Sequence, residues 1–274
     1  MSTMLCMELC PVLLLADRSL PNVDNIANDV TEGLSDIVEF LPEGTKPEDA
    51  AIAIAIGGDG TLIKHGRDLA KHKTPLIGVN SGRLGFLAKF DADSLIEQRH
   101  SIFAADTPSM EVMLLEVQVD GQEPVVAMNE VMIAAGNPFR ILELGLSINN
   151  VPAPSLRCDG IILSTPIGST AHNASVGGPI VDPSAKAFVL TPLAAHSLAV
   201  RPIVLDFHNN VTVKMKQANE GTSLVVDGEV RCTLRENMTI QVQKSPHTLS
   251  IVLNPTVTYW NALVDKLHWA APPG

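Results

Sequence analysis

Aromatic residues and positive charge are scarce in this sequence of 274 residues. It contains one Tyr and two Trp, too few for the stacking surfaces on which single-stranded nucleic acids bind. The formal net charge of −11 argues against nucleic acid and anionic membranes as partners. A phosphate ligand would therefore depend on Mg²⁺ and on backbone N–H groups for much of its positive field.

Cysteine is also rare, and its spacing argues against a zinc site. The four residues, Cys6, Cys10, Cys158 and Cys232, form no CxxC pair. The sequence also lacks a GxSxG elbow, an HExxH pair and the Walker lysine motif, so the enzyme classes defined by those motifs receive no support.

Targeting and membrane signals are missing as well. The apolar start of the chain has no basic segment and is interrupted by Glu8, which is not typical of a signal peptide. No apolar run has the length of a membrane span. We therefore expect a cytoplasmic protein with reduced thiols and no membrane partner.

What is present indicates two domains. The first hundred residues alternate between apolar strands and amphipathic helices, which predicts a parallel sheet with helices on its faces. Residues 91–103 are predicted as a connecting helix. Beyond residue 108, strand-like segments, many with period-two alternation, are separated by polar turns. The predicted strands are residues 110–119, 125–134, 142–148, 203–207, 211–216, 223–226, 238–243 and 248–253. We predict an α/β, Rossmann-like domain (residues 1–100) and an all-β, sandwich-like domain (residues 101–255). A C-terminal helix (residues 256–270) would return to the first domain.

Residues 50–62 form the most informative stretch. An uncharged run of isoleucine and alanine predicts a buried strand, which breaks into Gly57-Gly58-Asp59-Gly60-Thr61 before an amphipathic helix. The glycines would take positive φ and let a ligand approach the backbone, and the helix N-terminus suits a phosphate. Asp59 indicates phosphoryl transfer, since a carboxylate beside phosphate is unfavourable unless it holds a metal or takes a proton. The pentapeptide alone is equally consistent with a tight turn capped by Asp59 or Thr61.

A second glycine-containing loop, residues 80–86, directly follows the next predicted strand. Loops after the strands of an open α/β sheet line its ligand crevice. We therefore expect this loop to lie beside GGDGT. Arg83 would meet a phosphate there or remain a solvated cation.

Asn129 and Glu130 interrupt an apolar run in the β-rich part. An amide beside a carboxylate suits a ribose diol and a base edge. Adjacent residues of a regular strand face opposite sides, so only a bulge or a strand end would bring both to one site. A polar pair on an edge strand is the simpler explanation of these two residues taken alone.

Residues 157–182 are unusually rich in small polar residues. A strand, residues 161–164, leads into TPIGST and a short helix, residues 171–175, whose hydroxyl and N–H groups would serve a ligand. His172 taken alone is more often structural. Residues 227–229 are typical of a hairpin turn.

Together these motifs resemble the NAD kinase family over nearly the whole chain. The resemblance rests on matches in the family's order: GGDGT (57–61), NxGxLGF (80–86), Asn129-Glu130, Asp159-Gly160, TPxGSTA (165–171), GGPI (177–180), HSLxxRP (196–202), Asp227-Gly228 and KLxW (266–269).

This resemblance implies ATP-dependent phosphorylation of the 2′-hydroxyl of the adenosine ribose of NAD, giving NADP, with Mg²⁺ carried by the ATP phosphates. Asp59 would be the catalytic carboxylate, as general base or organiser of Mg²⁺, in a site between the two domains. Homodimers or homotetramers are expected, in which a neighbouring subunit often completes the pocket.

The resemblance also implies the binding residues. Asn129 and Glu130 would hold the adenosine half of NAD, Glu130 through ribose hydroxyls, and Phe86 would pack near the adenine. The full set is Gly57, Gly58, Gly60, Thr61, Arg83, Phe86, Asn129, Glu130, Asp159, Thr170, Ala171, His172 and Ser175.

Two positions depart from the family pattern, which commonly has Thr at Ile167 and Tyr at His172. Losing the hydroxyl would alter a hydrogen bond, whereas an imidazole still stacks on a ring and adds sensitivity to pH. Two alternative functions stay open. Diacylglycerol and sphingosine kinases also carry GGDG[TS], and a dinucleotide-binding regulator without turnover would keep the same pocket.

Overall fold

The computed structural model describes residues 9–82, 85–104, 106–138 and 140–270. Two compact units make up the chain: Met1–Glu111 with Leu249–Gly274, and Val112–Thr248. We call them the N-terminal unit and the C-terminal unit. Within the described residues, no helix is both long enough and apolar enough to cross a membrane.

The N-terminal unit is built on parallel strands: β1 (Cys10–Ala16), β2 (Val38–Phe40), β3 (Ile52–Ile56) and β4 (Leu76–Val79). Their order in the sheet is β2-β1-β3-β4. All five residues of β3 are buried, because its alternating Ile and Ala side chains are apolar on both faces. This arrangement confirms the predicted α/β, Rossmann-like fold of the first part of the chain.

Four helices connect or follow these strands in the described sequence before residue 104: α1 (Pro21–Gly33), α2 (Asp59–His72), α3 (Ala92–Glu97) and α4 (Arg99–Ile102). Val23, Ala27 and Val30 of α1 lie on one helical face and are buried in the core that includes Ile54. Burial of this apolar face holds the helix on the sheet.

The C-terminal unit contains two antiparallel sheets. The first has the order β9-β8-β13-β16, and a further strand, β5, pairs with β16 and β6. Its strands are β5 (Ser109–Val119), β6 (Val125–Ala127), β8 (Leu142–Ile148), β9 (Val151–Cys158), β13 (Val211–Gln217) and β16 (Thr239–Val252).

The second sheet of this unit has the order β12-β11-β10-β7-β14-β15. Its strands are β7 (Glu130–Ala134), β10 (Gly160–Ser164), β11 (Ala187–Leu193), β12 (Ile203–Asp206), β14 (Ser223–Val226) and β15 (Glu229–Thr233). One apolar core draws on both sheets, with Leu144 and Val213 from the first and Val131 and Ile161 from the second. A short helix, α5 (His172–Ser175), follows β10.

The end of the chain belongs to the N-terminal unit. Ile251, near the end of β16, pairs in parallel with Leu76 of β4. The last helix, α6 (Tyr259–Leu267), starts at a capping box formed by Thr258 and Asn261. The C-terminal helix thus returns to the N-terminal unit, as predicted.

The strands β9, β11 and β15 are absent from the sequence-based strand prediction. Pro152 and Pro154 obscure β9, which tolerates them because it lies at the edge of its sheet. Conversely, the two strands predicted on either side of Pro246, residues 238–243 and 248–253, form the single strand β16. Residues 91–103, expected as one helix, form the two short helices α3 and α4.

The buried core of the C-terminal unit predicts a contrast between two valines. Val213 on β13 is fully buried, whereas Val230 on β15 is 68% exposed. We expect Val213→Ala to lower the free energy of unfolding by roughly 2 kcal/mol, through lost burial and a small cavity. The matched control, Val230→Ala, should stay within about 0.5 kcal/mol. Urea titrations of both variants check this, and equal losses would contradict the assigned core.

Candidate functional site

The GGDGT segment forms the predicted turn from strand to helix. β3 ends at Ile56, and α2 begins at Asp59 with Gly58 as its N-cap. The expectation of positive φ is wrong, because Gly57, Gly58 and Gly60 do not have it. Packing explains Gly57 instead, since a Cβ there would lie 2.6 Å from Oγ1 of Thr61.

The other two glycines of the turn face open space. A Cβ built on Gly58 or Gly60 would have no neighbouring atom within 4 Å. Within the described part of the chain, the N–H groups of Gly58, Asp59 and Gly60 donate no hydrogen bond, as expected in the first turn of a helix. The start of α2 therefore offers unused N–H donors and the positive end of the helix dipole.

The carboxylate of Asp59 is bound by three consecutive N–H groups, those of Phe86, Leu87 and Ala88, where the second glycine-containing loop ends. Phe86 N donates to Oδ2 at 2.9 Å, whereas Leu87 N and Ala88 N donate to Oδ1 at 3.1 and 3.2 Å. A Cβ on Gly85 would lie 2.1 Å from Oδ1. The loop thus packs directly on the carboxylate, and GGDGT and residues 85–88 lie side by side, as expected for loops that follow strands of an open α/β sheet.

Phe86 and Arg83 are the other predicted site residues of the N-terminal part of the chain. Phe86 is half-buried, and its ring centroid lies 6.3 Å from that of Tyr259 on α6. Arg83 lies outside the described residues. A cavity of about 500 Å³ at the carboxyl ends of β1 and β2 is lined by Asp17 and Arg18 among others, but by none of the predicted site residues.

In the C-terminal unit, Asn129 precedes β7 and Glu130 is its first residue. The pair therefore lies at a strand end, one of the two arrangements that would free both side chains from strand alternation. Glu130 is only 8% exposed, and its Oε2 has no hydrogen-bond partner in the described structure. Burial and, secondarily, the negative charge of Asp227 raise the pKa of Glu130 from 4.5 to about 7.

The TPIGST turn packs against the backbone of this pair. Thr165 N donates to the carbonyl of Asn129 at 2.9 Å, and the Thr165 hydroxyl donates to the carbonyl of Met128 at 2.7 Å. A Cβ on Gly168 would lie 2.1 Å from the Asn129 oxygen. These contacts hold residues 165–170 against residues 128–130, and we call the two segments together the cluster.

The remaining predicted residues of this unit divide into two groups. Thr170 and Ala171 are half-buried, and His172 and Ser175 are exposed, where the turn passes into α5. Asp159, in contrast, precedes the opposite end of β10 from Ser164, which pairs with Glu130. Five residue steps along β10 separate Asp159 from Ser164, and so from the Glu130 end of the strand, by about 17 Å.

Two residues that hold the cluster together were not among the predicted site residues. Asn173 is fully buried: its amide donates to Pro179 O at 3.0 Å, and its Oδ1 accepts from the Thr191 hydroxyl at 2.7 Å. Asp227 accepts N–H bonds from Met128, Asn129 and Glu130. The Asp-Gly sequence predicted a turn, and no local pattern revealed these distant partners.

The described residues do not fit a resident metal ion. They contain no group of three or more His, Cys, Asp or Glu side chains placed to hold one. The two oxygens of Asp59 already accept three N–H bonds.

Two family models match successive parts of this chain. The family model of the ATP-NAD kinase N-terminal domain matches residues 16–107, and that of the ATP-NAD kinase C-terminal domain matches residues 128–253. The NAD kinase of Gemmatimonas aurantiaca is 35% identical over 248 residues, covering 89% of this chain and 86% of that protein. The NAD kinase of Rhodopirellula baltica is 34% identical over 227 residues, covering 81% and 73%.

Two solved structures share the fold. Yeast NADH kinase complexed with NADH has a TM-score of 0.83 at 21% identity, covering 97% of this chain and 89% of its own. An NAD kinase from Archaeoglobus fulgidus in complex with ATP has a TM-score of 0.74 at 24% identity, covering 94% and 98%.

The raised pKa of Glu130 predicts how stability depends on pH. Ionisation of the buried carboxyl opposes folding, so its contribution to stability is fully present below pH 4.5 and is lost as pH rises through 7. Relative to Glu130→Gln, the wild-type protein should lose roughly 2–3 kcal/mol of unfolding free energy between pH 5 and 8. Urea titrations at both pH values measure this, with the exposed Glu123→Gln as control. A difference between Glu130→Gln and wild type that is independent of pH would contradict the assignment.

Proposed function

This chain belongs to the NAD kinase family, and we propose that it transfers the γ-phosphoryl group of ATP to the 2′-hydroxyl of the adenosine ribose of NAD, giving NADP. The hydroxyl oxygen bonds to the γ-phosphorus while the bond from that phosphorus to the β–γ bridging oxygen breaks. ADP leaves, and the hydroxyl proton passes to an acceptor. The observation that carries this proposal is the Asp59 carboxylate, fixed by three N–H groups at the start of a helix.

Asp59 is the proposed proton acceptor. An ionised carboxylate offers about four lone-pair sites. Oδ1 accepts two N–H bonds and Oδ2 accepts one, so Oδ2 keeps capacity for a proton from the substrate. The N–H groups hold the carboxylate in one orientation, which is what general-base catalysis needs. This favours the role of base over that of metal organiser.

The phosphates of ATP are assigned to the start of α2. The unused N–H groups of Gly58, Asp59 and Gly60 point from a helix N-terminus, and the two glycines leave the backbone open to close approach. Arg83 adds a cation in this proposal. The divalent cation, Mg²⁺, is assigned to the ATP phosphates, because the described residues form no metal site of their own.

Recognition of NAD is assigned mainly to the C-terminal unit. The unpartnered oxygen of Glu130 would accept from ribose hydroxyls, and Asn129 would bind the base edge. Thr170, Ala171, His172 and Ser175 would line the dinucleotide, while Phe86 would pack near the adenine. The buried Asn173 keeps the TPIGST turn in place for this role.

We assign the enzyme to the cytoplasm and to a homo-oligomer. Cys10, Cys158 and Cys232 are free thiols, as a reducing compartment requires, and burial raises the pKa of Cys158 to about 11. We take the position of Asp159 as support for the oligomer, because it lies too far from Glu130 to meet the same ligand group in one copy. In our proposal, Asp159 completes the pocket of a neighbouring subunit.

One assay tests the function against its alternatives. The protein is incubated with ATP and Mg²⁺ together with NAD, diacylglycerol or sphingosine, and the products are identified by mass spectrometry. NADP formation, coupled to an NADP-specific dehydrogenase, supports the proposal. Turnover of a lipid alcohol alone would indicate a lipid kinase, and NAD binding without turnover would indicate a regulator.

Substitution of Asp59 should affect chemistry more than folding. We expect Asp59→Asn to lower kcat by ~10²–10⁴, because the amide accepts no proton. Asp91→Asn is the matched control, since Asp91 also binds a backbone N–H in the same unit but caps α3. Initial rates and thermal unfolding are measured for both. A kcat close to the wild-type value in a folded Asp59→Asn protein would reject the base.

A complementation experiment tests the shared pocket. Asp159→Asn and Glu130→Gln should each raise KM for NAD when present in every subunit. Copies carrying different tags are coexpressed and the mixed oligomer is purified. If Asp159 serves a neighbour, the mixed oligomer contains pockets free of both substitutions, and activity at limiting NAD should recover to about a quarter or more of wild type. No recovery would place both residues in one copy.

A further inference from the structure

The Asp227 carboxylate binds three successive N–H groups in a segment remote in sequence. Met128 N donates to Oδ2 at 2.9 Å, and Asn129 N and Glu130 N donate to Oδ1 at 2.7 and 3.1 Å. In return, Asp227 N donates to the carbonyl of Glu130 at 3.0 Å. These four hydrogen bonds hold the β14–β15 hairpin against the start of β7.

Turn geometry does not account for these bonds. Asp227 and Gly228 have φ of 48° and 80°, as the tight connection from β14 to β15 requires. Asp120 and Gly121 form a second Asp-Gly turn in the same unit, with φ of 45° and 74°. The Asp120 carboxylate accepts one backbone N–H, from Thr239. An Asp-Gly turn with the same backbone geometry therefore forms although its carboxylate accepts only one backbone N–H bond in the described structure.

Asp227 is also the charged group that acts on Glu130. The strands on either side of β7 carry no ionisable side chain, since β10 reads GIILS and β14 reads SLVV. The adjoining turn, Ile167–Thr170, carries none either. Besides burial, the charge of Asp227 raises the pKa of Glu130. Asp227 thus holds the backbone at Glu130 and, after burial, contributes to the raised pKa of its carboxyl.

We infer that Asp227 is a positioning residue for NAD recognition: its carboxylate holds the backbone of residues 128–130 and so fixes where Glu130 meets the ribose and Asn129 meets the base edge. This inference rests on the proposed function. It assigns to the hairpin turn a role that acts through Glu130 rather than through direct contact with the substrate.

We expect the binding of NAD to depend on pH. Ribose hydroxyls donate more strongly to a carboxylate than to a carboxylic acid. Binding therefore favours ionised Glu130, and KM for NAD should fall as pH rises through about 7. Removing the charge of Asp227 lowers the pKa of Glu130, so the same fall should occur at lower pH.

Asp227→Asn tests both effects, with Asp120→Asn as the matched control. KM and kcat for NAD are measured from pH 5.5 to 8.5. At pH 8 we expect KM to rise about tenfold, with kcat changed less than about threefold, because ground-state and transition-state binding are lost alike. The midpoint of the KM profile should move down by about half a pH unit or more in Asp227→Asn only. Adding Glu130→Gln should abolish the dependence.

Each outcome decides the inference. A KM within about twofold of wild type, or an unmoved midpoint, would reduce Asp227 to a structural turn residue. If Asp227→Asn does not fold, Asp227→Ser replaces it, since its hydroxyl still accepts an N–H bond. Failure of both variants to fold would overturn the inference by assigning Asp227 to folding. Absence of NADP formation by the wild-type enzyme would instead overturn the proposed function.

Discussion

Backbone N–H groups in irregular segments must find acceptors, and in this protein two aspartates supply them for the segments that carry the candidate site. Asp59 accepts from residues 86–88 and Asp227 from residues 128–130. A helix or a sheet would otherwise satisfy these donors. Because one carboxylate binds three N–H groups in sequence, each segment is held in one conformation, although only Glu130 among these donors belongs to a strand.

This constraint explains why glycine is required at places that are not tight turns. Gly85 leaves room for the Asp59 carboxylate, and Gly168 leaves room for the carbonyl of Asn129. In each case a Cβ atom on the glycine would lie 2.1 Å from the neighbouring oxygen, which is too close for any other residue. In both cases one segment rests on another without an intervening Cβ. Gly85 and Gly168 therefore mark close packing between segments.

Elements whose signal lies in neighbouring residues were predictable. The apolar β3, the amphipathic α2 and the break between them follow from local periodicity, and all three occur at the predicted positions. β9 was hidden by Pro152 and Pro154, because only the sheet order shows that it is an edge strand.

The candidate site was predictable only in part, for a related reason. The residue types at positions 59, 129 and 130 indicated phosphate and ribose chemistry, and these roles stay predictions. The partners of Asp227 and Asn173 are fixed by long-range packing, so the sequence near these residues contains no sign of them. Their assigned roles remain proposals that rest on geometry.

Asp59 and Asp227 share one hydrogen-bonding geometry but have different proposed roles. In each, the first N–H of the run binds Oδ2 and the next two bind Oδ1. Asp59 stands at the start of α2, where unused N–H groups and the helix dipole suit an anionic ligand. Asp227 stands in a hairpin beside a buried acid, whose pKa it helps to raise. Because the bonding pattern is the same, the surroundings of each carboxylate must decide whether it accepts a proton or fixes the residues that do the binding.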